Sequence, residues 1–289
     1  MQTEVRQFIS QLVCTILTAN SLKQYSETLD ASNYKSMLMV YDPKHPDYFT
    51  RVANIIDKNQ SIKYMFAIRT YAISPEFLSM MCESFNEIQE NRIVLNVCAG
   101  DKPQMENETD IDGVVGLDSL KDNVYERVLY TREWTKKFVN LKVMSKKPDL
   151  VFSGTSDYTL GTTNLYGDST LCMYNSFIDN PEKFKVAKKR MIALAVIISD
   201  SKESAFNILK SYNNPNAESW TLYGTEQEIK EEFARLETLG ATDILVSNPF
   251  YSEDNNKIHN FINLDFETVF KQMDDFIELC RNINDKIKF

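Results

Sequence analysis

A (β/α)8 barrel is the fold class this chain predicts, and three observations predict it. Eight short runs of β-branched and large apolar residues alternate with amphipathic helical stretches almost from end to end. Several runs, MIALAVIIS most plainly, are apolar without alternation, as parallel strands covered on both faces are. The length, 289 residues, suits one barrel of about 250 residues with extended loops. A doubly wound open sheet is the competing architecture. The turn after the first run, Thr18-Ala19-Asn20-Ser21, contains none of the glycines a dinucleotide fold places there. No repeat, low-complexity linker or composition break divides the chain, so residues 1–289 read as a single domain.

In order, the expected strands are Gln11–Thr18, Lys35–Asp42, Tyr64–Thr70, Ile93–Gly100, Asp149–Gly154, Ser169–Asn175, Met191–Ser199 and Asp243–Ser247. After the third, Ser74-Pro75 gives an N-cap followed by proline at the first helical position, with Phe77, Met80, Met81 and Phe85 as the apolar stripe. That stripe serves either the core or a subunit contact. Asp101 to Asn123, polar and acidic, is a long loop on the catalytic face and a candidate lid. Arg127 to Met144 is expected as an amphipathic helix carrying Leu129, Trp134, Phe138 and Leu141 on one face. Thr225 to Leu239 opens with a Thr225–Glu228 capping box and ends at Gly240. Asp265 to Asp285 supplies the last helix.

Composition excludes several functions. A net charge of −9 without a basic stripe argues against a nucleic-acid partner, which needs clustered Lys and Arg. No apolar run approaches the ~20 residues that span a bilayer, and MQTEVRQFIS is no secretion signal. The five cysteines are odd in number and widely spaced, which fits reduced thiols in a cytoplasmic protein. Two histidines without metal-ligand spacing predict no metal.

Candidate site residues come from strand ends. A parallel sheet presents its ligands at the carboxyl ends of its strands, and Arg69 stands at the third. It either pairs with a ligand's electron-rich edge or carboxylate, or makes a salt bridge at the rim. Ser153-Gly154-Thr155-Ser156 ends the fifth strand just before a helix. Read alone it is an ordinary capped turn or a phosphate cradle: glycine lets the backbone approach, hydroxyls donate, and the helix amides aim at the anion. His45, after the second strand, is a solvent-exposed loop residue or an acid–base group titrating near neutrality. His259 reads as a surface or lid residue. Tyr41, Tyr71 and Tyr130 read as core aromatics or pocket lining.

Residues 62–100, IKYMFAIRTYAISPEFLSMMCESFNEIQENRIVLNVCAG, resemble the third-to-fourth strand region of the bacterial luciferase-like flavin monooxygenases, closest to the alkanesulfonate monooxygenase branch. Asp149 to Tyr174, Met191 to Ala205 and Leu222 to Pro249 resemble later family segments in the same order and spacing. The resemblance implies a barrel holding FMN at its carboxyl face. Ser153, Gly154, Thr155 and Ser156 would hold the phosphate, and Asn96, Cys98 and Ala99 would form a second wall. It also implies that a histidine after the second strand serves catalysis, here His45, with Arg69 at the ring or substrate. A separate flavin reductase would supply the reduced FMN, a small organic molecule would be the substrate, and the barrel would pair as a homodimer or with a related barrel.

The departures are specific. Cys98-Ala99-Gly100 stands where relatives have Thr-Gly-Gly, and Ala193 and Ala195 replace an Arg and a His of the alkanesulfonate enzymes. The loop Asn213 to Ser219 is too short for their arginine-bearing insertion. These changes speak against a sulfonate substrate and for a roomier, more apolar pocket. Two other readings remain open: a barrel that has lost catalysis, and a deazaflavin-dependent oxidoreductase.

Overall fold

The computed structural model describes residues 7–12, 22–23, 26–27, 30, 35–40, 47–58, 61–100, 123–211 and 217–247. Among them nine strands form one all-parallel sheet: β1 (Gln7–Leu12), β2 (Ser36–Met39), β3 (Lys63–Arg69), β4 (Ile93–Cys98), β5 (Asp149–Ser153), β6 (Ser169–Met173), β7 (Lys189–Ile198), β8 (Thr221–Gly224) and β9 (Asp243–Ser247). β1 to β7 pair in sequence order except that β7 pairs next with β9, and β9 returns to β1. The ring therefore closes on eight strands, as expected. The open sheet is excluded.

Seven α-helices with both ends described lie in the connections, and residues 22–23, 26–27 and 30 are helical as well. The seven are α1 (Tyr48–Ala53), α2 (Pro75–Ile88), α3 (Val124–Asn140), α4 (Asp157–Tyr166), α5 (Tyr174–Asp179), α6 (Lys202–Ser211) and α7 (Glu226–Thr238). Two apolar layers follow from the period of two along each strand. Leu38, Met65, Ala67, Val94, Val151, Leu171, Met191, Ala193 and Leu245 fill the barrel. The alternate residues, such as Met39, Phe66, Leu95, Phe152 and Leu194, pack outward against the helices. Tyr48, Phe49, Phe66 and Phe85 meet between α1, β3 and α2 with ring centroids 4.4 to 6.4 Å apart.

Local chemistry fixes the helix ends. Ser74 caps α2, accepting from Phe77 N at 3.2 Å, with Pro75 in the first turn. Thr225 and Glu228 make the reciprocal capping box of α7, and Gly240 takes a left-handed φ of +99° just past the helix.

Four expectations need correction. The first strand begins earlier, at Gln7, and residues 13–18 of the expected strand lie outside the described residues. α2 turns Leu78, Ser79, Cys82 and Phe85 inward, so Phe77 and Met80 are 55% and 54% exposed and Met81 is half-buried. The sequence offers two apolar faces, and the sheet takes the one centred on Leu78 and Cys82. α3 begins at Val124, because Asn123 accepts from Tyr125 N and Glu126 N and starts the helix before the apolar period does. Its buried face runs through Val128, Thr131, Trp134 and Phe138, leaving Leu129 and Leu141 half-buried. Finally, Thr221–Gly224 is a strand outside the ring, paired to the upper end of β7 alone among the described strands. The candidate lid 101–122 and the helix expected over 265–285 lie outside the described residues.

Candidate functional site

The carboxyl end of the barrel brings four of the expected residues onto neighbouring inward positions. Alternation from Met65 and Ala67 carries Arg69 to the inner side of β3. Alternation from Val94 does the same for Asn96 and Cys98, and from Val151 for Ser153. Register sets Arg69 beside Cys98 and Cys98 beside Ser153. Arg69 is half-buried, Cys98 buried, and Asn96 only 3% exposed. The Ser153 hydroxyl donates to Asn96 Oδ1 at 2.7 Å.

Residues 154–156 turn the chain from β5 into α4. Gly154 has φ +137°, and a Cβ there would meet Thr159 Oγ1 at 3.2 Å and Cγ2 at 3.3 Å. Its N–H still donates to Leu171 O at 3.2 Å, so the glycine belongs to the β5–β6 ladder while leaving it. Ser156 caps α4: its Oγ accepts from Thr159 N at 3.1 Å and lies 2.9 Å from Thr159 Oγ1. Thr155 and Ser156 are exposed. The first-turn amides of α4 and these hydroxyls form a donor set turned toward solvent at the barrel mouth. The acid in that turn, Asp157, is drawn to Lys183 Nζ at 2.9 Å. Such a set fits a phosphate monoester.

Tyr125 and Tyr158 were not expected. They occupy the first turns of α3 and α4 and meet edge to face, with ring centroids 4.8 Å apart and planes at 87°. Both are exposed, and the hydrogen bond to Tyr125 raises the Tyr158 phenol above its ordinary range. A signal existed: each tyrosine stands two residues after its helix cap, Asn123 and Ser156. Behind the pair, Val97, Ala99, Val128, Thr131, Phe152, Ser153, Thr159 and Thr162 line a crevice of about 10 Å³, the space of one water. Ala99 follows Val97 by two residues, so alternation sets it on the opposite side of the chain from the inward Cys98. Gly100, at φ +76°, lies under the Tyr71 ring, whose edge is 3.0 Å from where a Cβ would be.

The remaining expected residues are elsewhere. His45, Tyr41 and His259 lie outside the described residues. Tyr130 borders a groove of about 480 Å³ with Pro75, Trp134 and Lys137, between the start of α2 and α3. Ala193 and Ala195 are buried on β7, Ala193 among the barrel-filling side chains and Ala195 two residues on along the same face. Burial holds the thiols of Cys82 and Cys172 up at about 12, which keeps them unreactive.

No protein-family model matches the chain. Solved structures do match over nearly its whole length. An EDTA monooxygenase from Chelativorans sp. BNC1 superposes with a TM-score of 0.71 at 11% identity, covering 99% of this chain and 94% of that one. An F420-dependent secondary alcohol dehydrogenase, in complex with an F420–acetone adduct, gives 0.65 at 12% identity, covering 90% and 98%. A long-chain alkane monooxygenase gives 0.64 at 11% identity, covering 94% and 92%. At these identities the likeness establishes the fold. The class of protein so defined is a (β/α)8 barrel of the form those three enzymes share. No helix among the described residues is long and apolar enough to cross a membrane.

Proposed function

We propose that this protein is a flavin-dependent oxidoreductase whose barrel mouth holds FMN, and that it acts as a monooxygenase on a small organic substrate with reduced FMN delivered by a separate reductase. The observation that carries the reading is the Gly154–Ser156 turn, which sets a strained glycine, two exposed hydroxyls and the amides of α4 at one point of the carboxyl face. Bound reduced FMN supplies the electrons that activate oxygen. Thr155, Ser156 and α4 hold the phosphate, Tyr125 and Tyr158 wall the tail, and Asn96, Cys98 and Arg69 line the inner side toward the ring. The apolar side chains inside the barrel keep water from the reacting atoms. Buried Ala193 and Ala195 add apolar wall without charge, which favours a substrate other than a sulfonate. His45, placed after β2 by the sequence, is the proposed proton donor or base.

Pairing with a second barrel would use α2. Phe77, Met80 and Ile88 expose 55%, 54% and 48% of their surface along one side of that helix, beside the groove under Tyr130 and Trp134.

The deciding experiment mixes reduced FMN with oxygenated buffer in a stopped-flow spectrophotometer, with and without protein. Slowed reoxidation of the protein-bound fraction supports the oxygenase. A second reading, a deazaflavin enzyme, draws on the fold shared with an F420-dependent dehydrogenase and on the altered Cys98-Ala99 wall. It predicts binding of F420 and none of FMN. FMN binding with unaltered reoxidation would leave a barrel that holds flavin without catalysis.

A further inference from the structure

By its place in the turn, Ser153 would hold the phosphate together with its neighbours. The geometry points elsewhere. We infer that Ser153 is a positioning residue that locks the Asn96 carboxamide with its N–H groups turned into the barrel, where they read a hydrogen-bond acceptor on the bound ring. The inference rests on the flavin reading above and sharpens it.

Three observations carry it. First, Ser153 lies on the inner face of β5, in step with Val151 of the barrel filling, whereas Thr155 and Ser156 beyond it are exposed. Second, its hydroxyl is already committed, donating to Asn96 Oδ1 at 2.7 Å across 57 residues of sequence. With Oδ1 occupied by that proton, the other end of the carboxamide, Nδ2, must point away from Ser153. Third, Asn96 is only 3% exposed, and its register neighbours on the inner face are Ala67 and Val151, whose side chains offer nothing to bond. Among the described residues the Nδ2 group has no hydrogen-bond partner. The group keeps contact with open space, so its two N–H donors are within reach of an acceptor brought to the barrel mouth. The edge of an isoalloxazine carries carbonyl oxygens and unprotonated ring nitrogens, which are acceptors of the required kind. The phosphate then belongs to Thr155, Ser156 and α4, and the ring to Asn96.

Comparing FMN with riboflavin separates the two roles, because riboflavin has the ring without the phosphate. Affinities are read by quenching of flavin fluorescence on the full-length protein. Ser153→Ala is expected to weaken both flavins alike, by about 3- to 10-fold, leaving their ratio unchanged. Ser153→Thr, which keeps the hydroxyl, is expected to restore both. The Thr155→Ala/Ser156→Ala pair is expected to weaken FMN and spare riboflavin. Loss of FMN affinity alone in Ser153→Ala would overturn the inference, since that is the signature of a phosphate ligand; so would wild-type affinity for both flavins. If the wild-type chain binds no flavin, the functional reading fails by itself. The lock is then read on the Asn96 side-chain amide by NMR. Exchange with solvent that is slow in the wild type and fast in Ser153→Ala supports it, and equal exchange in both refutes it.

Discussion

Replacing Gly154 with alanine tests the turn on which the site depends. At φ +137° a β-carbon is strained whatever space surrounds it, a cost on the order of 1–3 kcal/mol. Space is also short. The new Cβ would lie 3.2 Å from Thr159 Oγ1, and the Thr159 side chain cannot swing aside without breaking its hydroxyl contact to Ser156 Oγ at 2.9 Å. For a chain of 289 residues about 2 kcal/mol corresponds to a fall in Tm of roughly 3–5 °C. The same strain relaxes by shifting Thr155 and Ser156, so FMN affinity should fall by about 10-fold while riboflavin is less affected. Thermal melts and fluorescence titrations read both effects. Gly154→Ala/Thr159→Ala removes the crowding but not the strain, so it should stay well below the wild type. Gly161, in the interior of α4 with nothing within 4 Å of its would-be Cβ, is the control: Gly161→Ala should raise stability by about 1 kcal/mol. A Gly154→Ala protein that melts and binds FMN as the wild type does would refute the cradle.

Three further outcomes follow from the same structure. Phe138→Ala empties a fully buried site stacked against Trp134, at 5.3 Å between ring centroids, and should cost about 3–5 kcal/mol in a denaturant titration. The Glu228 carboxylate is held below its usual range chiefly by the Thr225 N–H. Its contribution to stability is therefore complete above the unfolded value of about 4.3 and vanishes as pH falls through the lower folded value. The Tm difference between wild type and Glu228→Ala should be largest near neutrality and close at strongly acid pH. Phe77→Asp/Met80→Asp should convert a dimer to a folded monomer in analytical ultracentrifugation, with the far-UV spectrum unchanged; a wild type already monomeric would remove α2 as the pairing surface.

Much of the barrel was legible because its parallel strands are covered on both faces and so read as apolar runs. Asp243–Ser247 matches to the residue, and nearly all of MIALAVIIS lies within β7. β8 was not legible, since Thr-Leu-Tyr-Gly is too short for any period and is defined only by pairing to β7. Nor was the buried face of α2, because both its faces are apolar and only the sheet beneath decides between them. The turn at residues 153–156 was legible because its chemistry is local: a glycine, then a hydroxyl cap. The bond between Ser153 and Asn96 was not, because it depends on which residues the β4–β5 register sets side by side. The tyrosine pair was written in the sequence as two capped helices with Tyr at the same step, but its meaning appears only when α3 and α4 stand next to each other.

A crystal structure of the protein with FMN is the decisive measurement. Phosphate density should lie within hydrogen-bond distance of Thr155, Ser156 and the first amides of α4, with an acceptor on the edge of the ring within hydrogen-bond distance of Asn96 Nδ2. Flavin density away from the mouth, or phosphate seated elsewhere on it with the Gly154 turn empty, would overturn the flavin site.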